Sequence, residues 1–340
     1  MTAAEQDASA QGSTATIELG LRDVLREALA DAGVAVRGLR QLTGGASRQT
    51  WFVEAVGSDG AIRRLILRRD PLAETTSAGF ATEAAVLRAA RDAGVPEPEV
   101  LAHSEDPAVL GAPFVLMEWV QGETLARRIL RDDAFAAVRP RLAAQCGEIL
   151  ARIHAIDPSG VPGLRSFEPV GQLRELFDGY EERSPAFELG MRWLDANRPV
   201  VAAPTLVHGD FRNGNLMIGP DGVCAVLDWE LVHVGDPMQD LGYLCARVWR
   251  FGGDGPVGGF GAYEDLFHGY EAAGGRPVDP EAVLWWELWS ALNWGSGCLH
   301  MAHRHLSGKM RSVEMAAIGR RVWEQEYDVM LMIEHRLRSL

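Results

Sequence analysis

The sequence predicts an α+β protein with a small β-rich N-terminal part and a larger helical C-terminal part. Between residues 17 and 118, short apolar segments are bounded by glycine and proline turns, with two helical patterns among them. Beyond Gly122, apolar residues recur mainly at the spacing of three and four positions that marks the buried face of a helix. A chain of 340 residues is long enough for two hydrophobic cores, and a cleft between two such parts is a common place for a ligand.

The predicted N-terminal part covers residues 16–118. It begins with a helix at Ile17–Ala32, where apolar residues recur at helical spacing. Two apolar runs on either side of a Gly-Ser-Asp-Gly turn predict strands at Trp51–Val56 and Ala61–Arg68. Phe80–Ala93 is predicted as the second helix, and the apolar run in "APFVLMEWVQGETL" predicts a further strand at the end of this part.

The predicted C-terminal part covers residues 119–340. Apolar residues in helical register predict a helix at Arg139–Ile156. A Gly-Pro-Asp-Gly turn between Leu216–Ile218 and Val223–Leu227 predicts a β-hairpin. The remainder is predicted to be nearly all helical, ending with a helix at Ser312–Leu337.

The charge balance limits the classes of partner. Lys and Arg number 33 and Asp and Glu number 47, so the formal net charge is −14. Binding along a nucleic acid or to an anionic membrane needs a basic surface, and neither is predicted. A small local pocket for a phosphorylated ligand remains compatible with this charge. The sequence does not indicate an oligomeric state.

The cysteines and the N-terminal residues predict a cytoplasmic protein. The four cysteines are widely spaced and form no C-x-x-C pair, so we interpret them as reduced, buried thiols. Residues 1–15 lack the basic start and apolar stretch of a signal peptide and are predicted to be a disordered tail. No apolar run approaches the length of about 20 residues that a membrane span needs.

Three polar residues flank the predicted hairpin. Asn215 precedes its first strand, Asp228 follows its second strand, and Asp210 lies five positions before Asn215. An antiparallel hairpin returns the chain to its starting end, so these side chains are expected to be neighbours. Carboxylates held close together repel unless one is protonated or a cation lies between them. Oxygen ligands of this kind suit Mg²⁺, which completes its coordination with phosphate oxygens and water.

Each of these residues taken alone has an ordinary explanation, since Asn and Asp are common in turns and at caps. The joint pattern is more specific. It reads H-x-D-x-x-x-x-N, then a hairpin, then Asp, beginning at His208. This arrangement occurs in the catalytic and metal-binding loops of phosphoryl-transfer enzymes.

The sequence resembles the aminoglycoside phosphotransferase and choline kinase family, whose fold is similar to that of protein kinases. The most specific segment is "HGDFRNGN…LDWE…GDPMQDL", and the resemblance covers nearly the whole chain after the N-terminal tail. Within that family, the chain is most similar to the kinase-like domain attached to some acyl-CoA dehydrogenases. The segments "GGASRQTWFV", "LRRDP", "FVLMEWVQGETL", "NWGSGCLHMAHRHLSG" and "AAIGRRVWEQE" carry this second likeness.

The resemblance implies an ATP- and Mg²⁺-dependent kinase. Asp210 would be the catalytic carboxylate that orients the acceptor hydroxyl and can take its proton. Asn215 and Asp228 would bind Mg²⁺. Three further residues would support the catalytic loop or cap a helix: His208, Asp236 and Asp240.

The nucleotide is expected to bind the N-terminal part. In "TGGASRQT", Gly44, Gly45 and Ser47 would cover the phosphates, although a plain hairpin turn explains this segment as well. Arg68 stands where a kinase normally carries Lys, which keeps the charge but brings a planar fork. Glu83 lies on a packed helix face and needs a cation, so Arg68 is its expected partner, while a solvated Glu83 is the alternative.

The linker between the two parts would offer backbone groups to adenine. The alternative explanation of this segment is the end of a buried strand, and both can be true. It comprises Met117, Glu118, Trp119 and Val120. Only seven residues separate Asp228 from Asp236, which leaves no room for the long segment with which protein kinases dock polypeptides. A hydroxylated small molecule is therefore the favoured acceptor.

Other polar and aromatic groups have simpler interpretations. His300, His303 and His305 lack a ligand set of fixed spacing and are interpreted as surface or cleft histidines rather than a metal site. Four tryptophans on one helical segment suit core packing, or an aromatic wall over an acyl or ring substrate. They are Trp285, Trp286, Trp289 and Trp294.

Two functional alternatives remain open. A non-catalytic nucleotide-binding regulator would explain Arg68 as the mark of a degraded site, and a GTP-dependent enzyme would share all the motifs. The acceptor is also open: the resemblance points towards hydroxyacyl groups, whereas the wider family includes kinases for antibiotics, choline, homoserine and sugars.

Overall fold

The computed structural model describes residues 17–42, 48–70, 79–180, 184–201, 203–308 and 310–338, with side chains to residue 335. The predicted tail at residues 1–15 lies outside this part of the chain. The chain divides into two compact units. The first unit contains the described residues up to Gln121 together with Ser159–Leu164 and Asp228–Leu231, and the second unit contains the rest.

The first unit is built on an antiparallel sheet of five strands in the order β1-β2-β3-β5-β4. Its elements in chain order are α1 at residues 17–28, β1 (Ala35–Gln41), β2 (Gln49–Val56), β3 (Ile62–Arg69), α2 (Phe80–Asp92), β4 (Val100–Ser104), α3 (Pro107–Leu110) and β5 (Phe114–Glu118). The segment Trp229–Leu231 forms a 3₁₀ helix that also belongs to this unit.

The two-residue period of β3 places Arg68 on the face of the sheet opposite to the core. Leu65 and Leu67 are buried against α1, where they join Leu21 and Leu25 in one apolar cluster. Successive side chains of a strand point to opposite faces, so Arg68 is directed away from this cluster. The core packing therefore fixes the direction in which the guanidinium points.

The second unit is mainly helical. Its helices are α4 (Ala126–Arg131), α5 (Leu142–His154), α6 (Pro169–Asp178), α7 (Pro185–Ala196), α8 (Met238–Cys245), α9 (Tyr263–Ala272), α10 (Pro280–Leu306), α11 (Val313–Gly319) and α12 (Val322–Arg338). Its strands β6 (Thr205–Val207), β7 (Leu216–Gly219), β8 (Gly222–Val226) and β9 (His233–Gly235) form two antiparallel pairs, β6-β9 and β7-β8. The predicted α+β class, with strands concentrated in the N-terminal part, is confirmed.

Some predicted boundaries were wrong. The first helix ends at residue 28 because Ala30 adopts a left-handed φ of 49°. The predicted helix at Ser312–Leu337 is two helices, α11 and α12. At the end of α11, Gly319 lies so close to α10 that an added Cβ would meet the Cβ of Ala302 at 2.7 Å.

The tryptophans of α10 mostly serve packing. Trp285, Trp286 and Trp289 are each about 3% exposed. Their indole N–H groups donate to Leu194 O, to an Asp236 carboxylate oxygen and to Pro169 O at 2.8–3.0 Å. A buried indole needs such a partner, so these three side chains are satisfied core residues. None of the helices in the described residues is both long enough and apolar enough to cross a membrane.

Candidate active site

A sharp turn after β6 presents the segment His208-Gly209-Asp210. Gly209 has a φ of 84°, a conformation that strongly favours glycine. The carboxylate of Asp240 in the first turn of α8 holds this turn: its Oδ2 accepts the His208 N–H at 2.8 Å and its Oδ1 accepts the Gly209 N–H at 2.9 Å. Both oxygens of one buried side chain therefore fix the backbone just before Asp210.

Asp240 is itself held in its charged form. It is fully buried, and His154 Nε2 lies 3.1 Å from its Oδ2. Burial alone would raise the pKa of Asp240, but hydrogen bonding and the charge of His154, with the Gly209 N–H, lower it below its usual value. His154 Nδ1 lies 2.9 Å from the hydroxyl of Tyr270, so α5 and α9 both contribute to this arrangement.

The carboxylate of Asp210 contacts three polar side chains of the second unit. Asn215 Nδ2 donates to its Oδ2 at 2.5 Å and to its backbone carbonyl at 3.0 Å. Arg212 Nε donates to Oδ1 at 3.0 Å. Burial, followed by the charge of Asp210, raises the pKa of Tyr243 well above its usual value, and the Tyr243 hydroxyl hydrogen-bonds to Asp210. These contacts fix the orientation of Asp210 before any ligand binds.

The hairpin β7–β8 returns the chain to this loop. The Leu227 N–H donates to the Asn215 carbonyl at 2.8 Å, and His208 Nε2 lies 3.2 Å from the Leu227 carbonyl. The sequence-predicted residues His208, Asp210 and Asn215 are thus brought together. Asp228 is the next residue in the chain after Leu227.

Asp236 serves a different purpose in the second unit. One of its carboxylate oxygens accepts the Met238 N–H at 3.0 Å at the start of α8, and the other accepts the indole N–H of Trp286 at 2.8 Å. This geometry is that of a helix cap, and it ties the start of α8 to α10.

The first unit contains a cluster of charges around Glu83. Arg68 Nη1 lies 2.5 Å from Glu83 Oε1, and Arg68 Nη2 donates to Asp228 Oδ1 at 3.0 Å. The ion pair predicted between Arg68 and Glu83 is therefore present, and the same guanidinium also binds Asp228. Asp228 has a left-handed φ of 70°, which is uncommon outside glycine.

Arg48 is a second cation on Glu83 that the sequence analysis missed. Arg48 Nη1 bonds to Glu83 Oε2, its guanidinium lies 4.4 Å from the centre of the Phe80 ring, and its Nε lies 4.0 Å from Glu230. The side chains of Arg48 and Glu83 are 4% and 1% exposed, so this pair is buried. The two oxygens of Glu83 are thus shared between two arginines.

The neighbouring charges alter proton affinity within the first unit. Burial acts to lower the pKa of Arg68, but the carboxylates of Glu83, Asp228 and Glu230 outweigh it and raise that pKa. Burial and the charge of Asp228 raise the pKa of Glu230, despite two nearby arginines. Burial raises the pKa of Glu97 well above its usual value, and the indole N–H of Trp229 donates to Glu97 Oε1 at 3.2 Å.

The remaining predicted nucleotide contacts are only partly described. Gly44, Gly45 and Ser47 lie outside the described residues. Met117 and Glu118 are the last two residues of β5, and the Trp119 N–H donates to Arg64 O at 3.0 Å. This segment is therefore anchored to the central strand β3, and Val120 follows it.

The three histidines near the end of α10 have hydrogen-bond or ring partners. His300 Nδ1 lies 2.7 Å from the Tyr180 hydroxyl, the His303 ring lies 5.9 Å from the Tyr180 ring, and His305 Nδ1 accepts the Ser312 N–H at 3.1 Å. Within the part of the chain that the structure describes, no group of three or more His, Cys, Asp or Glu side chains is arranged to hold a metal ion.

Asn215 and Asp228 are the residues predicted to bind Mg²⁺. Asn215 turns its amide nitrogen towards Asp210, so its amide oxygen is directed elsewhere. Asp228 is a carboxylate partner of Arg68, with about a third of its side chain exposed. An amide oxygen and a carboxylate are the hard ligands that Mg²⁺ prefers, and phosphate and water oxygens usually complete its shell.

Comparison with known proteins identifies the family. The model of the phosphotransferase enzyme family APH matches residues 38–286, which is most of the chain. The chain is 33% identical over 228 residues to mouse acyl-CoA dehydrogenase family member 10, an alignment that covers 62% of this chain and 20% of that protein. The chain thus spans about a fifth of the length of this relative.

Two solved structures show the same fold. A Ralstonia eutropha protein named as a candidate aminoglycoside phosphotransferase has a TM-score of 0.72 and 24% identity, covering 93% of this chain and 98% of its own. Spectinomycin phosphotransferase APH(9)-Ia, solved with ADP and spectinomycin, has a TM-score of 0.61 and 14% identity, covering 91% and 97%. With a protein-kinase-like fold and a family match across both units, the chain belongs to the phosphotransferase enzyme family APH.

Proposed function

We propose that this protein transfers the γ-phosphoryl group of ATP to a hydroxyl group of a small molecule, with Mg²⁺. The observation that carries the proposal is the position of Asp210. Its carboxylate is oriented by Asn215 and Arg212, and the turn before it is fixed by both oxygens of Asp240. Phosphoryl transfer depends mainly on positioning and on neutralising charge, so a rigidly held carboxylate suits it.

Asp210 is the residue that would act on the acceptor. Its carboxylate would accept a hydrogen bond from the acceptor hydroxyl, orient that oxygen towards phosphorus and take its proton. Arg212 would supply positive charge beside it. The Arg212 guanidinium is held in position by Asp210 and by the Trp249 ring, whose centre lies 4.4 Å away.

Asn215 and Asp228 would hold Mg²⁺. When bound, the ion neutralises charge on the phosphate oxygens and orients them. The support is chemical and local: both side chains offer hard oxygen ligands, and the residue before Asp228 is hydrogen-bonded to the Asn215 backbone. His208 and Asp240 would hold the catalytic loop in position.

The first unit, including residues up to 118, would bind the nucleotide. Arg68 would contact its phosphates, with Glu83 holding the guanidinium in position. Gly44, Gly45 and Ser47 would cover the phosphates. Four consecutive residues would offer backbone groups to adenine: Met117, Glu118, Trp119 and Val120.

The acceptor we favour is a hydroxyacyl compound. This choice rests on similarity to a protein named as an acyl-CoA dehydrogenase family member, of which the chain spans only a fifth. The solved relative that binds spectinomycin makes an aminoglycoside-like acceptor the second candidate. The short interval of seven residues between Asp228 and Asp236 favours a small molecule over a polypeptide.

A screen of hydroxylated compounds for ATP-dependent ADP release tests the proposal. We expect turnover with at least one compound, dependence on Mg²⁺, and a loss of kcat of at least about 100-fold in Asp210→Asn while the circular dichroism spectrum is retained. Asp228→Ala should lose Mg²⁺-dependent turnover. Nucleotide binding without turnover across the screen would favour a non-catalytic regulator, and a larger thermal shift with GTP than with ATP would favour a GTP-dependent enzyme.

A further inference from the structure

A cavity of about 540 Å³ lies within the second unit, between α7, α10 and α12. This volume is in the range of sites for drug-sized ligands. Neither Asp210 nor Asn215 lines it. One side is apolar, formed by aliphatic and thioether side chains of α10 and α12 that include Leu288 and Leu331. The other side carries charged groups.

Two arginines form the charged side. Arg247 and Arg250 begin and end one 3₁₀ helix. Side chains three positions apart eclipse each other in a 3₁₀ helix, so both guanidinium groups lie on the same face. Arg250 is held in place because its Nε and Nη2 donate to the Cys245 carbonyl at 3.1 and 2.8 Å. His335 of α12 lines the same cavity.

The acidic groups that face these arginines do not cancel them. Glu287 lies in the cavity wall, accepts the Tyr263 hydroxyl at 2.5 Å and is 3.6 Å from Arg250. Burial raises the pKa of Glu287 to about 7, against the effects of Tyr263 and Arg250, so a large share of it is neutral at pH 7. Asp328 lies 3.4 Å from Arg247 but does not line the cavity. Among the lining side chains, two arginines therefore face one carboxyl group, that of Glu287, beside an apolar wall.

We infer that this cavity binds an amphiphilic anion, with a carboxylate or phosphate head on Arg247 and Arg250 and an aliphatic tail against Leu288 and Leu331. Paired guanidinium groups are suited to planar carboxylate and to phosphate oxygens. A tail of several methylene groups would remove apolar surface from water on binding, which favours the complex. A neutral or cationic amphiphile would offer the two arginines no charge-assisted contact.

Isothermal titration of the full chain with decanoate and with decyl phosphate tests this inference. We expect saturable binding of one molecule per chain, and the stronger of the two ligands identifies the head group. Decanol and decylamine have the same tail without the negative charge and should bind at least about tenfold more weakly. Acetate and inorganic phosphate lack the tail and should not bind detectably.

Two variants locate the site. Arg247→Gln should weaken binding about tenfold, as expected for loss of one charge-assisted contact. Arg128→Gln is the matched control, since the side chains of Arg247 and Arg128 are 59% and 58% exposed and both pair with an acidic residue. Leu331→Trp should also weaken binding by occupying the apolar side, with circular dichroism and melting temperature used to verify the fold.

Binding of decylamine as tight as that of decanoate would overturn the inference. Equal affinity in Arg247→Gln and Arg128→Gln would overturn it also, as would the absence of saturable binding below 1 mM, a threshold of about −4 kcal/mol. The titration contains neither nucleotide nor acceptor. Its outcome is therefore independent of whether the chain transfers phosphate.

Discussion

The guanidinium of Arg68 donates a hydrogen bond to the carboxylate of Asp228 over 3.0 Å, although 160 positions separate the two residues in the chain. The other arm of the same guanidinium binds Glu83. A planar fork can serve two carboxylates at once in fixed directions, whereas an ammonium group is a single point of charge. The two directed contacts explain why Arg occupies this position. The replacement of Lys by Arg therefore does not imply a degraded site.

Arg68→Lys tests that explanation. We expect the KM for ATP to rise about tenfold with a smaller change in kcat, because the charge is retained while one of the two directed contacts is weakened. Steady-state kinetics at varied ATP measure both constants. Arg63→Lys, an exposed change on the same strand, should leave both constants unchanged. An Arg68→Lys enzyme that is more active than the natural protein would contradict this account.

Arg48→Gln is expected to destabilise the protein by about 2 kcal/mol, because one buried oxygen of Glu83 loses its charge-assisted partner. The Glu83 side chain is 1% exposed, and Arg68 continues to hold its other oxygen. Urea unfolding monitored by fluorescence measures the change. Arg26→Gln removes an exposed pair with Asp23 and should cost less than about 0.5 kcal/mol. Equal losses in the two variants would show that burial of the Arg48 pair has no energetic consequence.

Asp240→Asn is expected to lower kcat while the affinity for nucleotide stays close to that of the natural protein. An amide has one accepting oxygen, so the variant can hold only one of the His208 and Gly209 N–H groups. Rates at saturating ATP, together with nucleotide titration, separate the two effects. Loss of nucleotide binding in parallel with kcat would instead indicate a general loss of structure.

Glu287 is expected to make stability fall as pH rises from about 4.5 to about 7. Its pKa is raised by burial from 4.5 to about 7 in the folded state, so the folded protein binds more protons than the unfolded chain across that interval. The shift corresponds to roughly 3 kcal/mol, present in full below the unfolded value and lost once pH passes the folded value.

The matching variant is Glu287→Gln, which still accepts the Tyr263 hydroxyl but does not ionise. Its free energy of unfolding should decline less between pH 5 and pH 8 than that of the natural protein. Urea titrations at each pH provide the comparison. Parallel curves for the two proteins would mean that Glu287 ionises in the fold as readily as it does in water.

The sequence predicted the residues whose partners lie near in the chain. His208, Asp210 and Asn215 fall within one loop, so their spacing alone brought them together. Contacts that join distant segments were not predictable in the same way. His154 binds Asp240 from 86 positions away, and no local pattern marks a histidine in α5 as its partner.

The same reason explains the omissions in the first unit. Arg48 and Glu83 are 35 positions apart, and Trp229 and Glu97 are 132 positions apart. Arg68 was predicted as the partner of Glu83 because a carboxylate on a packed helix face needs a cation. With Arg68 assigned to Glu83, no feature of the sequence indicated that a second cation, Arg48, also binds this carboxylate. Strand β1 was missed because none of its residues is fully buried and two exposed arginines interrupt its apolar pattern.

The close packing of α5 against α9 positions two side chains, His154 and Tyr270, that connect these helices to Asp240. Gly147 and Gly269 lie where an added Cβ would meet Leu266 O and Ala144 O, each at 2.2 Å. His154 and Tyr270, which lead to Asp240, stand at the ends of these two helices. A single methyl group added at Gly147 would push the two helices apart. We therefore expect it to disturb the turn before Asp210 and, if the proposed function holds, to change turnover.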